Sequence, residues 1–548
     1  MQQQKFDYIV VGAGSAGCVM ANRLSHDSTN SVLVLEAGPL DNTPFIKIPG
    51  AFSYFMFSKK YNWRYEAEKV SDIRKGEPMF CPRGKTLGGS SAVNGMVYVR
   101  GHKSDYDAWA QAGNKGWGYD DLLPYFIKSE TNQRGADNYH GDKGPLYVSD
   151  VINDYAINDT FMTGTQQAGY PLSPDFNGKQ FEGAGYFQFT IKDGERCDTS
   201  KAYLKPAQAR SNLSVECEAF VDHILFEDKK AVGICYTQKG EQHQVYANKE
   251  VLLCGGSFNS PQTLMLSGIG AKEELDQFGI RVVHDLPGVG KNLQEHVDAC
   301  VLTRSLKKDG FTTSVGGLAK MFPDLLKYFK SKTGKLANSI TQAGAFLKSS
   351  PEVEVPDIQM HFLPLLFDDN GRDLKLLSTH GYSCHVCVLR PKSRGRVSLR
   401  SANPRDLAKI DLNFFSAPED AKTLVNGIRS VRKIMATSAF DEYRGEEMHP
   451  GEAAQSDEAI LKKCKERLGL VYHPVGTCKM GNDPMAVVDD ELKVHGIDNL
   501  RVIDASIMPS ITSGNTNAPT IAIAEKAADM ILSTNKEESV ARQESVPV

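Results

Sequence analysis

Residues 6–39 read FDYIVVGAGSAGCVMANRLSHDSTNSVLVLEAGP. An apolar run, Tyr8 to Val11, breaks into Gly12, Gly14 and Gly17, and a second run, Val32 to Leu35, ends on Glu36. The pattern predicts strand, tight turn, helix, strand. In such a βαβ site the first glycine permits the turn, the second lets the backbone approach a pyrophosphate, and the third lets helix and strand pack closely. The helix start, Ser15 and Ala16, then faces the phosphates with its free N–H groups. Glu36, followed by Ala37, stands 24 residues after Gly12, where a carboxylate accepts from ribose hydroxyls. The motif predicts a bound dinucleotide and leaves NAD and FAD both open.

Composition narrows the partner. A chain of 548 residues with net charge −4 is long enough for two large domains and has no polybasic tract, so nucleic acid is not expected. The 11 cysteines are scattered through apolar runs, an odd count that makes no disulfide framework. Cys384 and Cys387 form a CxxC, but the surrounding β-rich sequence would send positions three apart to opposite faces of a strand. Two core cysteines are expected there, and no metal site. The start MQQQKFDY lacks a charged head followed by an apolar core, and no 18-residue apolar run follows. The expected location is the cytoplasm, with peripheral contact to the inner membrane as the alternative.

Two further glycine-rich stretches extend the nucleotide site: PRGKTLGGSSAVNGMVYVRG at 82–101 and GGSFNSPQTLMLSGIG at 255–270. Their small residues let backbone approach a ligand, and Arg83 and Lys85 bring positive charge. With the opening motif they match both sequence signatures of the glucose–methanol–choline (GMC) oxidoreductase family. The resemblance spans residues 6 to about 533. YVRGHKSDYDAW, PKSRGRVSLRSANP and VYHPVGTCKMG are similar to stretches of bacterial membrane-associated alcohol dehydrogenases of alkane oxidation, and the chain also resembles bacterial choline dehydrogenases.

The resemblance implies FAD. Matched residue by residue, it implies FAD contacts at Gly12, Gly14, Ser15, Ala16, Glu36 and Ala37, at Arg83, Gly84, Gly89, Asn94, Gly95, Met96 and Val97, at Val221 beside adenine, and at Asp504, Ala505, Thr516 and Asn517. Some members attach FAD through a histidine just before the asparagine of the second loop. Here that position is Val93, which implies non-covalent FAD. The implied fold is α/β, a Rossmann-like FAD-binding domain (1–158, 203–305, 467–535) interleaved with a discontinuous α+β substrate domain (159–202, 306–466) built on an antiparallel sheet. The charged end, 536–548, is expected as a disordered tail.

Between these motifs, PFIKIPGAFSYFMFSKKYNWRY (44–65) reads as a loop covering the core or the cofactor. LPGVGKNLQEH (286–296) reads as helix-like. Leu318, Met321, Phe322, Leu325, Leu326 and Phe329 follow i, i+3, i+4, i+7, i+8, i+11 with lysines between, an amphipathic helix with Pro323 near its first turn or at a kink. It either packs on its own domain or lies on a membrane surface.

The chemistry is expected near the C-terminus. His473 lies in VYHPVGTCKMG, and Asn515 precedes an alanine-rich helix in which Pro519 suits an early position. Oxidising a primary alcohol requires loss of the hydroxyl proton and transfer of the α-hydride to flavin N5. Imidazole titrates near neutrality and suits the first task. The resemblance therefore implies His473 as base and Asn515 as the amide that holds the alkoxide. His102, His284, His361 and His495 are expected to be structural. Tyr54, Phe55, Phe57, Phe362 and Phe367 are candidates for an apolar tunnel. The expected reaction is primary, aliphatic alcohol to aldehyde with a quinone-type acceptor. Choline dehydrogenase, an oxygen-using oxidase and a hydroxynitrile lyase are the alternatives; oligomeric state is left open.

Overall fold

In the computed structural model, which describes residues 4–544, the opening motif folds as its spacing predicts: strand Lys5–Val11, helix Ser15–Leu24, strand Val32–Glu36. The two strands are parallel, with Ile9 opposite Leu33 and Val11 opposite Leu35. Gly12 has φ +96°, and a Cβ there would lie 2.7 Å from the Cys254 carbonyl oxygen, so only glycine turns the chain at this point. Leu213–Cys217 joins in parallel beyond Val32–Glu36, and Glu241–Leu253 lies parallel to the first strand on its other side. Lys230–Gln238, Ala219–Glu227 and Leu500–Val502 complete a seven-stranded sheet drawn from three distant parts of the chain. Its central strands are buried on both faces, which is why they read as unbroken apolar runs.

A second seven-stranded sheet is antiparallel, in the order Arg444–His449, Val297–Ser305, Gly381–Val388, Ile358–Leu363, Ala343–Leu347, Gly183–Tyr186, with Gly469–Leu470 also on Val297–Ser305. Helix Pro418–Met435 covers one face, and its Gly427 sits against Val386 and Ile358. The fold is thus α/β with a discontinuous α+β domain on an antiparallel sheet. Gly183–Tyr186 falls inside the expected 159–202 segment. Val297–Ser305 and Gly469–Leu470 join the second sheet although the expected boundaries lay at 305 and 466. A buried strand carries the same apolar signature whichever sheet it joins, so sequence pattern could not assign it.

Two other expectations change and one is narrowed. LPGVGKNLQEH is irregular rather than helical, because Pro287, Gly288 and Gly290 break it and Gly290 N–H bonds across to Thr477. Of the two places expected for Pro323, the first turn is excluded and the kink stays open: it sits in the interior of helix Val315–Ser331, whose start is capped by the Ser314 hydroxyl. The last helix runs from Asn517 to Glu544, so the backbone of 536–544 continues a helix where a disordered tail was expected; residues 545–548 lie outside the described residues. Extending an existing helix needs no new nucleus, and Lys and Glu are good helix formers. Cys384 and Cys387 are free and buried in two different hydrophobic clusters, on opposite faces as alternation requires.

Candidate active site

A cavity of about 390 Å³ is lined from both domains. Every residue expected at the cofactor, from Gly12 to Asn517, and both residues expected at the chemistry, His473 and Asn515, line it.

Two helix starts meet at this cavity. The Ser15 hydroxyl donates to Asn517 Oδ1 at 2.7 Å, and eight residues further along each helix Arg23 grips Glu525 at 2.6 and 2.8 Å. The helices therefore run side by side in the same direction, and both present free N–H groups and positive dipole ends to the cavity, an arrangement that suits an anion. Glu36, buried at the end of its strand, accepts from Ala13 N–H at 2.9 Å and Gly38 N–H at 2.7 Å. Burial raises its carboxyl to about 7 despite those donors and the nearby Lys85. Asp504 holds Gly256 N–H, the Ser260 hydroxyl and Ser506 N–H at 2.9, 2.6 and 2.8 Å. Arg83 lines the cavity, but its guanidinium bonds the Pro82 and Tyr472 carbonyls at 2.6 Å each, so it braces the histidine loop. Beside Gly95 the space is open, and a Cβ there would meet nothing within 4 Å. Glycine-lined walls, two helix starts and a strand-end carboxylate fit a dinucleotide.

His473 is placed by a bulge. Val475 pairs with Gln294 and Leu470 with Val297, so residues 471–474 face only residues 295–296. The extra residues re-aim the chain, and Tyr472 takes φ +68° to make the turn. Glu295, whose Oε1 accepts from His473 N–H at 2.7 Å and His296 N–H at 3.0 Å, ties the two sides together. Burial raises the Glu295 carboxyl to about 8. The His473 ring stands between two partners: His296 Nδ1 is 3.1 Å from its Nδ1, and Asn515 Nδ2 is 3.1 Å from its Nε2. Gln359 Nε2 donates to Asn515 Oδ1 at 3.3 Å. Burial, then His296, His361 and Arg83, hold the His473 imidazole well below its usual range, so it is neutral at pH 7.

Beyond His473 the cavity is lined by His361, His385, Asp298, Asp368 and Phe367. His361 was expected to be structural, yet it faces this space, and burial lowers its imidazole to about 3. His385 Nδ1 donates to Asp298 Oδ2 at 2.7 Å; burial opposes its charge, but Asp298 raises it to about 8. Of the aromatic candidates, Phe367 lines the cavity, Phe55 and Phe362 are core residues, and Tyr54 and Phe57 are exposed. Phe52, Met56 and Trp63 do line it, so the 44–65 stretch covers the site through different side chains.

Sequence reading missed Glu295, His296, Gln359 and the Asp298–His385 pair. The first two lay in the stretch read as helix, and the others on strands whose alternating faces could not be assigned to a cavity.

Two models of GMC oxidoreductase match residues 6–298 and 391–524. The chain is 45% identical over 530 residues to an alcohol dehydrogenase [acceptor] of Pseudomonas putida, covering 96% of each chain. It is 44% identical over 532 residues to an oxygen-dependent choline dehydrogenase of Photobacterium profundum, covering 96% of this chain and 93% of that one. An FAD-dependent oxidoreductase from Chaetomium thermophilum superposes with TM-score 0.87 at 27% identity, over 97% of this chain and 100% of that chain. With matching models on both halves and the motifs gathered at one cavity, the chain belongs to the GMC oxidoreductase family.

Proposed function

We propose that this protein is a dehydrogenase that uses non-covalent FAD to oxidise primary, aliphatic alcohols to aldehydes and passes the electrons to a quinone-type acceptor. The observation that carries the reading is a neutral imidazole and an amide, His473 and Asn515, 3.1 Å apart on the wall of the cavity that the glycine loops and Glu36 also line. FAD bound there supplies the acceptor for the alcohol's α-hydride. Gly12, Gly14, Ser15 and Glu36 would hold its pyrophosphate and ribose, Val221 its adenine, and Asn94 to Val97 its ring. Val93, packed with Ile46, Phe55, Tyr61 and Ala92, supports attachment without a covalent bond.

An alcohol oxygen seated beside His473 Nε2 and Asn515 Nδ2, taking the place of the 3.1 Å contact between them, finds complementary partners. Its hydroxyl donates to His473 Nε2, while a hydrogen of the Asn515 amide is donated to the oxygen. His473 takes the proton as negative charge builds on the oxygen, and the amide holds that charge. The Ser15 and Asn517 helix starts favour negative charge across the cavity.

Choline is the second reading, and one observation favours it. Asp298 Oδ1, buried at the cavity wall, has no hydrogen-bond partner among the described residues, and Phe367 is nearby. Against it, the carboxylates on that wall are already engaged: Asp298 with His385, Asp368 with Arg467 and Asp369 with Arg74. A quaternary ammonium needs a cage with free negative charge. Anaerobic mixing of the yellow protein with an alcohol series and with choline separates the readings. Bleaching by primary alkanols and weak response to choline is expected. Bleaching by choline alone would establish the second reading, and no bleaching by either would refute a dehydrogenase.

We also propose peripheral contact with an anionic bilayer through helix Val315–Ser331. Its apolar stripe faces solvent rather than its own domain: Phe322, Leu326 and Phe329 are 59%, 56% and 65% exposed. Lys320, Lys327 and Lys330 are exposed on the same helix, and Leu336, just beyond it, packs on Gly50. An apolar face rimmed by lysines suits a lipid interface. No helix among the described residues is long and apolar enough to cross a membrane. The double variant Phe322→Glu, Phe329→Glu is expected to leave membrane pellets for the supernatant with dye-linked activity intact. Unchanged partitioning contradicts the contact.

A further inference from the structure

We propose that His296 is a positioning residue that fixes the proton of His473 on Nδ1, so that Nε2 meets the alcohol as a bare acceptor. The inference rests on the reading of His473 as the base and adds how that base is kept in one tautomer.

The fixed point is a main-chain carbonyl. Leu389 O lies 3.1 Å from His296 Nε2, and a carbonyl can only accept, so Nε2 carries the hydrogen. Burial holds the His296 imidazole down at about 3 against the pull of the Leu389 and Thr512 backbone, so the ring is neutral and has a single N–H, and the Leu389 carbonyl is its hydrogen-bonded main-chain partner. Its Nδ1 is therefore a lone pair. That lone pair is 3.1 Å from His473 Nδ1, which must be the donor. His473 is neutral too, so its single hydrogen is used there and Nε2 is bare. The far end of the chain agrees independently. Gln359 donates to Asn515 Oδ1, which turns the Asn515 NH₂ toward His473 Nε2, and an NH₂ group can only donate.

The alternative tautomer breaks at both ends. A hydrogen on His296 Nδ1 would leave its Nε2 lone pair facing the Leu389 oxygen, two buried acceptors with no hydrogen between them. A hydrogen on His473 Nε2 would point at the hydrogens of Asn515. The pair is held in place by Glu295, whose one oxygen takes the backbone N–H of both histidines. His296 thus does for His473 what a buried hydrogen-bond acceptor does for a catalytic imidazole in general: it selects the tautomer and the ring orientation.

The test compares two variants of the FAD-loaded enzyme that both lose the bond to Leu389. In His296→Asn the amide oxygen can stand where Nδ1 stood and still accept from His473; in His296→Phe nothing can. Nitrogen NMR of ¹⁵N-histidine-labelled protein reads the His473 tautomer directly, and anaerobic mixing reads the rate of flavin reduction by a primary alcohol. His473 Nε2 is expected to be unprotonated in wild type and in His296→Asn. It is expected to become partly protonated in His296→Phe, with a fall in reduction rate of roughly 10² to 10⁴ that His296→Asn largely restores. Protonated Nε2 in wild type, or an unchanged tautomer in His296→Phe, overturns the inference. A shifted tautomer with an unchanged rate leaves the positioning intact and overturns the base assignment beneath it.

Discussion

His473→Gln is expected to retain FAD and to reduce it with alcohol about 10² times more slowly, or worse, than the parent chain. Glutamine fills similar space and can still bond Asn515, so cofactor and cavity should survive the change. What it lacks is an imidazole nitrogen lone pair to take the hydroxyl proton. The partner Asn515 cannot replace it, because an amide NH₂ only donates and takes no proton. Asn515→Ala should be milder, because it removes one donor, a loss that costs up to roughly 10² to 10³ where no water substitutes. The pH dependence follows from the direction of the His473 shift. The active form is the unprotonated one, present above its pKa and lost as pH falls through it. Because that pKa lies well below the usual value of about 6.5, the rate should hold through pH 6 and fall only in more acidic solution. An acid limb centred near 6.5, or a glutamine variant as fast as the parent, would contradict the assignment.

The second large effect is at the cofactor cradle. Gly89 has φ +52°, and a Cβ built on it lies 2.7 Å from Gly14 Cα and 3.6 Å from Gly14 N. The obstacle is the backbone at the start of helix Ser15–Leu24, which cannot swing aside like a side chain. Gly89→Ala must therefore push the second glycine loop off the first, in addition to about 1–2 kcal/mol for a left-handed backbone. Both loops line the cavity, so with FAD bound there as proposed the strain falls on cofactor binding. At about 1.4 kcal/mol per factor of ten, the FAD Kd should rise at least about tenfold, measured by reversible titration of stripped protein. An unchanged Kd would show that the seam between the two loops is not part of the cradle.

Much of this was legible in the sequence because glycines and strand ends carry position. A motif such as Gly12, Gly14, Gly17 and Glu36 encodes a turn, an approach and a carboxylate at fixed spacing, and the structure has the turn at Gly12, the close packing at Gly17 and the carboxylate at the strand end. The amphipathic pattern at 321–329 was equally readable as a helix, but periodicity says only that one face is apolar. Phe322 and Phe329 turned out to face solvent, which depends on what lies nearby. What was not legible are contacts between segments hundreds of residues apart. His296 and His473 sit 3.1 Å apart because a bulge at 471–474 faces the chain at 295–296. Nothing in LQEHVD announces its partner. The placement of Val297–Ser305 in the second sheet was hidden for a related reason, since burial on both faces erases the alternation that would identify a neighbour.

The most direct test of the account is a crystal structure of the protein with FAD and an unreactive analogue of a primary alcohol. The expected result is an isoalloxazine ring along Asn94 to Val97, with the analogue's oxygen within about 3.2 Å of both His473 Nε2 and Asn515 Nδ2. An oxygen out of reach of His473, or a flavin that leaves no room for an alcohol beside that imidazole, would contradict it.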